Sequence, residues 1–377
     1  MIKPIAIILG EPNSISSEII FKSWIKKKKF RHTPCLVIGN YNLLYRHLKY
    51  FKFNLNLKLI EKNFKLDDLK GTAIPVIDIK YGQKKIFEKN SKKSNKFISD
   101  CFSQGLNLIK QNKILGIING PVSKETFLNK KFNGITEFIA YKIGRYDKVA
   151  MLIYSKKLAV TPIVTHVPVK KISQKLNVKK IVNQIKEIVF FYNKYLKKKI
   201  KIAITGLNPH CFSHEKFSEE EKIIKPAIRK IRKLKINITG PLSADTLFLS
   251  KNQKKFDVIV GMYHDQVLTP IKTIMGFKAI NITLGLPFIR VSPDHGVAAD
   301  IVGKKVADPS SLIESIKLFN KNNVSAENGP EILIFCFLSF LIAGLIIFSS
   351  SENISLEKQC GFNPVTAILI FFLKYLL

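Results

Sequence analysis

The sequence predicts an α/β fold built on a largely parallel sheet with helices over both faces. Three observations carry that expectation. Apolar runs of strand length are uninterrupted rather than alternating, as strands covered on both sides require. Longer amphipathic stretches separate them. Glycine, proline, asparagine and histidine then fall directly after the apolar runs, where strands give way to loops.

Taken in order, the runs at 5–9, 35–38, 114–118, 148–154, 159–164, 200–205, 258–262 and 280–284 read as strands. Between them, 92–111, 178–195 and 219–234 have helical spacing. The strand ends hold more information than the strands. Gly10-Glu11-Pro12, Gly120-Pro121-Val122, Thr165-His166, Gly206-Leu207-Asn208-Pro209-His210 and Tyr263-His264-Asp265 each follow the last apolar residue of an expected strand. Ligands of open α/β sheets bind beyond the carboxyl ends of strands, so these segments are expected to converge on one cleft.

At 377 residues with 46% hydrophobic content, the chain has ample material for a buried core and is not disordered. Its formal charge of +35 invites a nucleic-acid or anionic-membrane reading. The lysines are scattered, however, and accompanied by abundant isoleucine, asparagine and phenylalanine, a pattern of A- and T-rich coding. A nucleic-acid footprint is a stripe on a known module, and none is present, so no nucleic-acid partner is expected. The cysteines at 35, 101, 211, 336 and 360 are dispersed, form no Cys-x-x-Cys pair, and fit a reducing cytoplasm. No signal-peptide pattern opens the chain.

From about residue 326 the lysine bias disappears. Residues 332–348 form a charge-free apolar run and 365–377 a second one interrupted by Lys374. The first run is at the lower limit for a bilayer span. The extension 326–377 is therefore read either as a membrane segment, the only membrane contact expected, or as an interfacial segment or sequence artefact.

Of the seven histidines, His166, His210 and His264 end expected strands. Neutral imidazole is a common ligand of zinc-like ions, and three protein ligands leave positions open for substrate. Spacings this long match no local motif, so the residues alone leave the metal site open. Lys272, Asn281 and Arg290 fall in one turn-rich stretch and have the chemistry of anion binding: a point charge, a neutral donor and a planar fork.

Several further segments join these: Gly120-Pro-Val122 with Lys124, Gly134-Ile-Thr-Glu-Phe138, Thr165-His-Val-Pro168, Gly206-Leu-Asn-Pro-His210, residues 240–248, Met262-Tyr-His-Asp-Gln266, residues 281–290 and Asp294-His-Gly296. In this order, over roughly residues 1–320, they make the chain resemble the PdxA family of 4-hydroxythreonine-4-phosphate dehydrogenases.

The resemblance implies two α/β/α lobes around a cleft, as in isocitrate and isopropylmalate dehydrogenases. One lobe would comprise about 1–130 plus 285–325, the other about 131–284, within a dehydrogenase body of 1–325. It implies one divalent metal (zinc, magnesium or cobalt) on His166, His210 and His264, with substrate contacts from Thr136, Lys272, Asn281 and Arg290. It further implies an NAD(P) cofactor and a homodimer whose subunits share each active site. The reaction would oxidise 4-phosphooxy-L-threonine to a β-keto acid that decarboxylates, serving pyridoxal 5'-phosphate biosynthesis. Asp245 and Asp265 are the nearby carboxylates by motif, either one a candidate proton acceptor or histidine-orienting group.

Two departures stand out. The family has Gly-His-Thr-Glu where this chain has Gly134-Ile135-Thr136-Glu137, and the glycine-rich turn after the second metal histidine is replaced by Cys211-Phe-Ser-His214. The first keeps open a related phosphorylated four-carbon acid such as phosphothreonate as substrate. Together with the tail, it also keeps open a membrane-tethered, non-catalytic homologue.

Overall fold

All eight expected strands form, joined by four more. A computed structural model describes residues 3–320 except 31, 129–130, 133, 146–148 and 213–216. The expectations for 326–377, for Cys336 and Cys360 and for His214 lie outside the described residues.

The strands are β1 (Ile5–Ile8), β2 (Cys35–Gly39), β3 (Leu57–Leu59), β4 (Ile74–Asp78), β5 (Gly116–Asn119), β6 (Ala150–Tyr154), β7 (Ala159–Val164), β8 (Ile202–Thr205), β9 (Ile238–Leu242), β10 (Val258–Tyr263), β11 (Ile280–Leu284) and β12 (Ile289–Pro293). Among the described residues they make one sheet in the order β3-β4-β2-β1-β5-β12-β11-β6-β7-β10-β8-β9. The strands from β3 to β12 run parallel, as do β7, β10, β8 and β9. Between these groups lies an antiparallel seam: β11 pairs antiparallel with β12 and with β6, and β6 with β7. The fold is α/β, as the patterning requires.

Burial explains why the runs are uninterrupted. Every residue of β1, β2, β5, β7 and β8 is buried, and helices such as Asn95–Lys110 and Val178–Tyr195 lay apolar stripes against the sheet. The four strands absent from the sequence reading have interrupted patterns. β3 is a three-residue edge strand, β4 and β9 contain proline, and β12 carries an arginine where an apolar residue would be read.

Across the seam the two parallel groups point in opposed senses. A right-handed twist of roughly 20–25° per strand accumulates to on the order of 100° from β5 to β10. The ends of β5, β7 and β10 thereby reach one cavity.

One buried histidine belongs to the core. His47, fully buried, stacks on Phe87 with centroids 4.5 Å apart. Its Nδ1 lies 2.9 Å from Ser17 Oγ and its Nε2 2.9 Å from the Ile86 carbonyl. A carbonyl only accepts, so Nε2 carries the proton and Nδ1 accepts from the serine. Burial pulls the imidazole down to about 4, partly opposed by the Ile86 carbonyl. The unfolded histidine takes its proton near its ordinary value, so between the two values the unfolded state binds more protons. This stability is fully present above pH ~6.5 and is lost as pH falls through about 4, amounting to about 3 kcal/mol. The melting temperature of wild type should drop more steeply than that of His47→Gln between pH 7 and 4; parallel curves would refute the assignment.

Candidate active site

The cavity at the seam has a volume of about 440 Å³. Loops after β5, β7 and β10 line it, together with β6, β11, β12 and the segment beyond β12. Of the expected site residues, Thr136, His166, His264, Lys272, Asn281 and Arg290 face it, as does Lys124. His210, Asp245 and Asp265 are not in its wall, and neither is the Gly10-Glu11-Pro12 turn. That turn instead buttresses the wall. Glu11 N–H donates to the Pro121 carbonyl at 2.8 Å, and Gly10 (φ +76°) passes so close that a Cβ would strike the same oxygen.

Pairing on the seam aligns the polar face. Asn281 lies opposite Ser292, and Thr283 opposite Arg290. Side chains alternate along a strand, so Asn281, Thr283, Arg290 and Ser292 share one side, and Asp294 follows in step just beyond β12. Arg290 is 2% exposed. Its Nε donates to Asn119 Oδ1 at 2.7 Å, and one terminal nitrogen donates to Thr283 Oγ1 at 2.8 Å and Thr136 Oγ1 at 3.2 Å. Burial pulls the guanidinium down to about 9, with Glu137 opposing; it remains a cation at neutral pH. Among the described residues no carboxylate comes within ion-pair distance of it. A buried cation hydrogen-bonded only to neutral acceptors has the chemistry to take an anion.

The histidine side of the cavity is built by strand-end geometry. His166 follows β7 in a left-handed conformation (φ 45°), which turns its ring toward His264 at the start of the helix His264–Met275. The ring centroids are 5.9 Å apart. Glu137 Oε1 lies 3.9 Å from His166 Nδ1. Burial lowers the His166 pKa, Glu137 opposing and Lys124 reinforcing, and so favours the neutral form that ligates metals. Asp265 Oδ1 accepts from His264 Nδ1 at 2.7 Å, at the protein surface.

His210 sits elsewhere. Its loop is clamped from below: Glu220, in a π-helical turn, accepts from the backbone N–H groups of Leu207 (2.8 Å) and Asn208 (2.9 Å) and from Asn208 Nδ2 (2.8 Å). Gln266 ties the same loop to the His264 turn, donating to the Gly206 carbonyl at 2.8 Å and accepting from Met262 N–H at 2.7 Å. At the tip, His210 and Cys211 are both left-handed (φ 55° and 58°), a strain that the glycine expected at this turn would relieve. The His210 side chain is 77% exposed, with Asp245 Oδ2 at 3.6 Å. Hydrogen bonds from Ser243 Oγ and Thr246 N–H keep the Asp245 carboxyl below its ordinary range. Among the described residues of a single chain, no cluster of three metal-ligating side chains forms.

Glu137, Asp294 and His295 also line the cavity, although the sequence reading gave them no role. Their signal was their place inside the family motifs, which composition and periodicity do not weigh.

The relatives settle the family. A profile described as "Pyridoxal phosphate biosynthetic protein PdxA" matches residues 31–319. The chain belongs to the PdxA family. A 4-hydroxythreonine-4-phosphate dehydrogenase of Sulfurihydrogenibium sp. is 38% identical over 318 residues, covering 83% of this chain and 96% of that protein. One from Bradyrhizobium diazoefficiens is 31% identical, covering 85% and 96%. Among solved structures, the Klebsiella pneumoniae 4-hydroxythreonine-4-phosphate dehydrogenase superposes with TM-score 0.74 at 29% identity, over 86% of this chain and all of that one. A terephthalate 1,2-cis-dihydrodiol dehydrogenase from Burkholderia xenovorans shares the fold alone, at TM-score 0.58 and 23% identity. Within this PdxA-family chain, substrate choice must therefore be argued from the cavity rather than from the fold. Among the described residues, no helix is long and apolar enough to cross a membrane.

Proposed function

We propose that this PdxA-family dehydrogenase oxidises 4-phosphooxy-L-threonine with NAD(P), yielding a β-keto acid that decarboxylates to 3-amino-2-oxopropyl phosphate for pyridoxal 5'-phosphate synthesis. The observation that carries the reading is Arg290, a buried cation with no ion-pair partner among the described residues, in a cavity large enough for a small phosphorylated acid. Lys272 and Asn281 line the same wall, and Thr136 hydrogen-bonds the guanidinium that would hold the anion. Binding energy gathered at a phosphate fixes the carbon to be oxidised, several bonds away.

The donor set fits a divalent metal only in part within one chain. His166 and His264 supply two imidazoles at the cavity, while His210 points outward from a braced loop. Exposed Phe212 and Phe217 on that loop, and exposed Leu249 just beyond the Asp245 helix, form the apolar surroundings expected of a subunit contact. The reading that satisfies all three histidines is a homodimer in which His210 of one copy completes the site of the other. A divalent ion bound there would polarise the substrate's alcohol. Asp265 orients His264 by its 2.7 Å contact, and Asp245, 3.6 Å from His210, is, among the described residues, the carboxylate nearest to it for the same task. The two lobes expected from the sequence correspond in this reading to the halves of the sheet on either side of the β12–β11 pairing.

Mixing the full chain with 4-phosphooxy-L-threonine, NAD or NADP and zinc, magnesium or cobalt should reduce the nicotinamide, read by its absorbance. Absence of reduction with every combination would refute the dehydrogenase reading.

A further inference from the structure

The cavity wall is polar in two opposite senses. At the Arg290 end it offers donors. Beyond it, two buried side-chain acceptors from residues facing the cavity, Asp294 Oδ2 and His295 Nε2, lack a hydrogen-bond partner, as do Glu137 Oε2 and Asn281 Oδ1 in the same wall. Asp294 Oδ2 has the Lys272 ammonium 3.3 Å away, close enough for an ion pair but not aligned as a hydrogen bond. His295 Nδ1 faces the Gly296 carbonyl at 3.4 Å. The carbonyl can only accept, so a proton on Nδ1 leaves Nε2 as a bare lone pair. Burial lowers the His295 pKa, which favours this neutral form. Leaving buried acceptors unmet costs free energy, and proteins keep such atoms where a ligand supplies the donor.

We propose that Asp294 and His295 form an ammonium subsite that reads the amino group of the substrate, with Lys272 beside them for its carboxylate and Arg290 across the cavity for its phosphate. The inference rests on the phospho-amino-acid reading above and sharpens it. The charges and lone pairs are laid out for a zwitterionic head group with an anionic tail. A hydroxyl in place of the ammonium would bring one donor and no charge to a carboxylate whose ion-pair partner, Lys272, is shared with the substrate's own carboxylate. The subsite therefore discriminates 4-phosphooxy-L-threonine from phosphothreonate. It also supplies polar recognition in a pocket where Ile135 contributes none.

The test is calorimetric binding of the two compounds to the full chain with a divalent cation present. Wild type should bind the ammonium compound at least about tenfold more tightly than phosphothreonate. Asp294→Asn keeps the shape and removes the charge. It should weaken the ammonium compound by roughly 30-fold while leaving phosphothreonate within about threefold. His295→Gln should shift the preference in the same direction by a smaller factor. Unchanged affinity for inorganic phosphate in both variants would show that they fold and that the Arg290 end is intact. Equal losses for both compounds would mean that Asp294 merely holds Lys272, and would overturn the subsite while sparing the proposed function. Wild type that binds both compounds equally would do the same. Wild type that binds neither would overturn the proposed function, and the subsite with it.

Discussion

Arg290→Met should make the enzyme nearly inactive and leave the free protein as stable as before, or more so. The guanidinium is buried against Asn119, Thr136 and Thr283, with Glu137 near enough to act on it but, among the described residues, no carboxylate at ion-pair distance. In the free protein its burial is a standing cost that an apolar side chain of similar length avoids, so a gain of about 1–2 kcal/mol is expected. In the complex the same charge meets the substrate's anion in a dry setting. Its loss should lower kcat/KM by roughly 10²–10⁴-fold. Arg290→Lys should recover only part, because a point charge cannot keep the neutral contacts and grip the anion at once. Thermal melting and steady-state kinetics on the same preparations check both halves. A variant that loses stability and activity together would recast Arg290 as a structural residue.

The second large effect concerns His210. His210→Ala should lose bound metal and drop turnover by at least ~100-fold, although its side chain is absent from the cavity of its own chain. His264→Ala should be equally inactive. If His210 serves the other copy, unfolding and refolding the two variants together should restore activity. Half of the randomly paired dimers are then mixed, each with one intact site of two, giving about a quarter of wild-type activity. No recovery in the mixture, with dimers confirmed by size, would refute the shared site.

Much of this arrangement was legible in the sequence, for physical reasons that also explain the gaps. Strands covered on both faces leave unbroken apolar runs, so β1, β2, β5, β7, β8 and β10 could be read directly. β12 could not, because its arginine is buried against its own hydropathy. The strand-end histidines were visible as residues, but distance is not. His166 and His264 meet at 5.9 Å while His210 faces outward, and nothing in their spacing separates the pair from the third. Glu220 and Gln266, which brace the His210 loop, left no trace in composition because their work is done through backbone N–H and carbonyl groups. Asp294 and His295 were in plain view within a motif, but their meaning depends on which acceptors go unmet once the chain is folded.

The seam has a consequence for how the protein comes apart. Asn281 and Arg290 sit on β11 and β12, at the middle of the sheet between β5 and β6, whereas His210 rides on a strained loop tip beyond β8, near the sheet's far edge. Opening of the edge costs far less than opening of the centre, so amide exchange should be fast around His210 and slow along the seam. In the proposed homodimer, a partly opened molecule would then lose its hold on a second copy while still gripping a phosphorylated ligand. High substrate concentration would protect the fold of each chain without protecting that dimer.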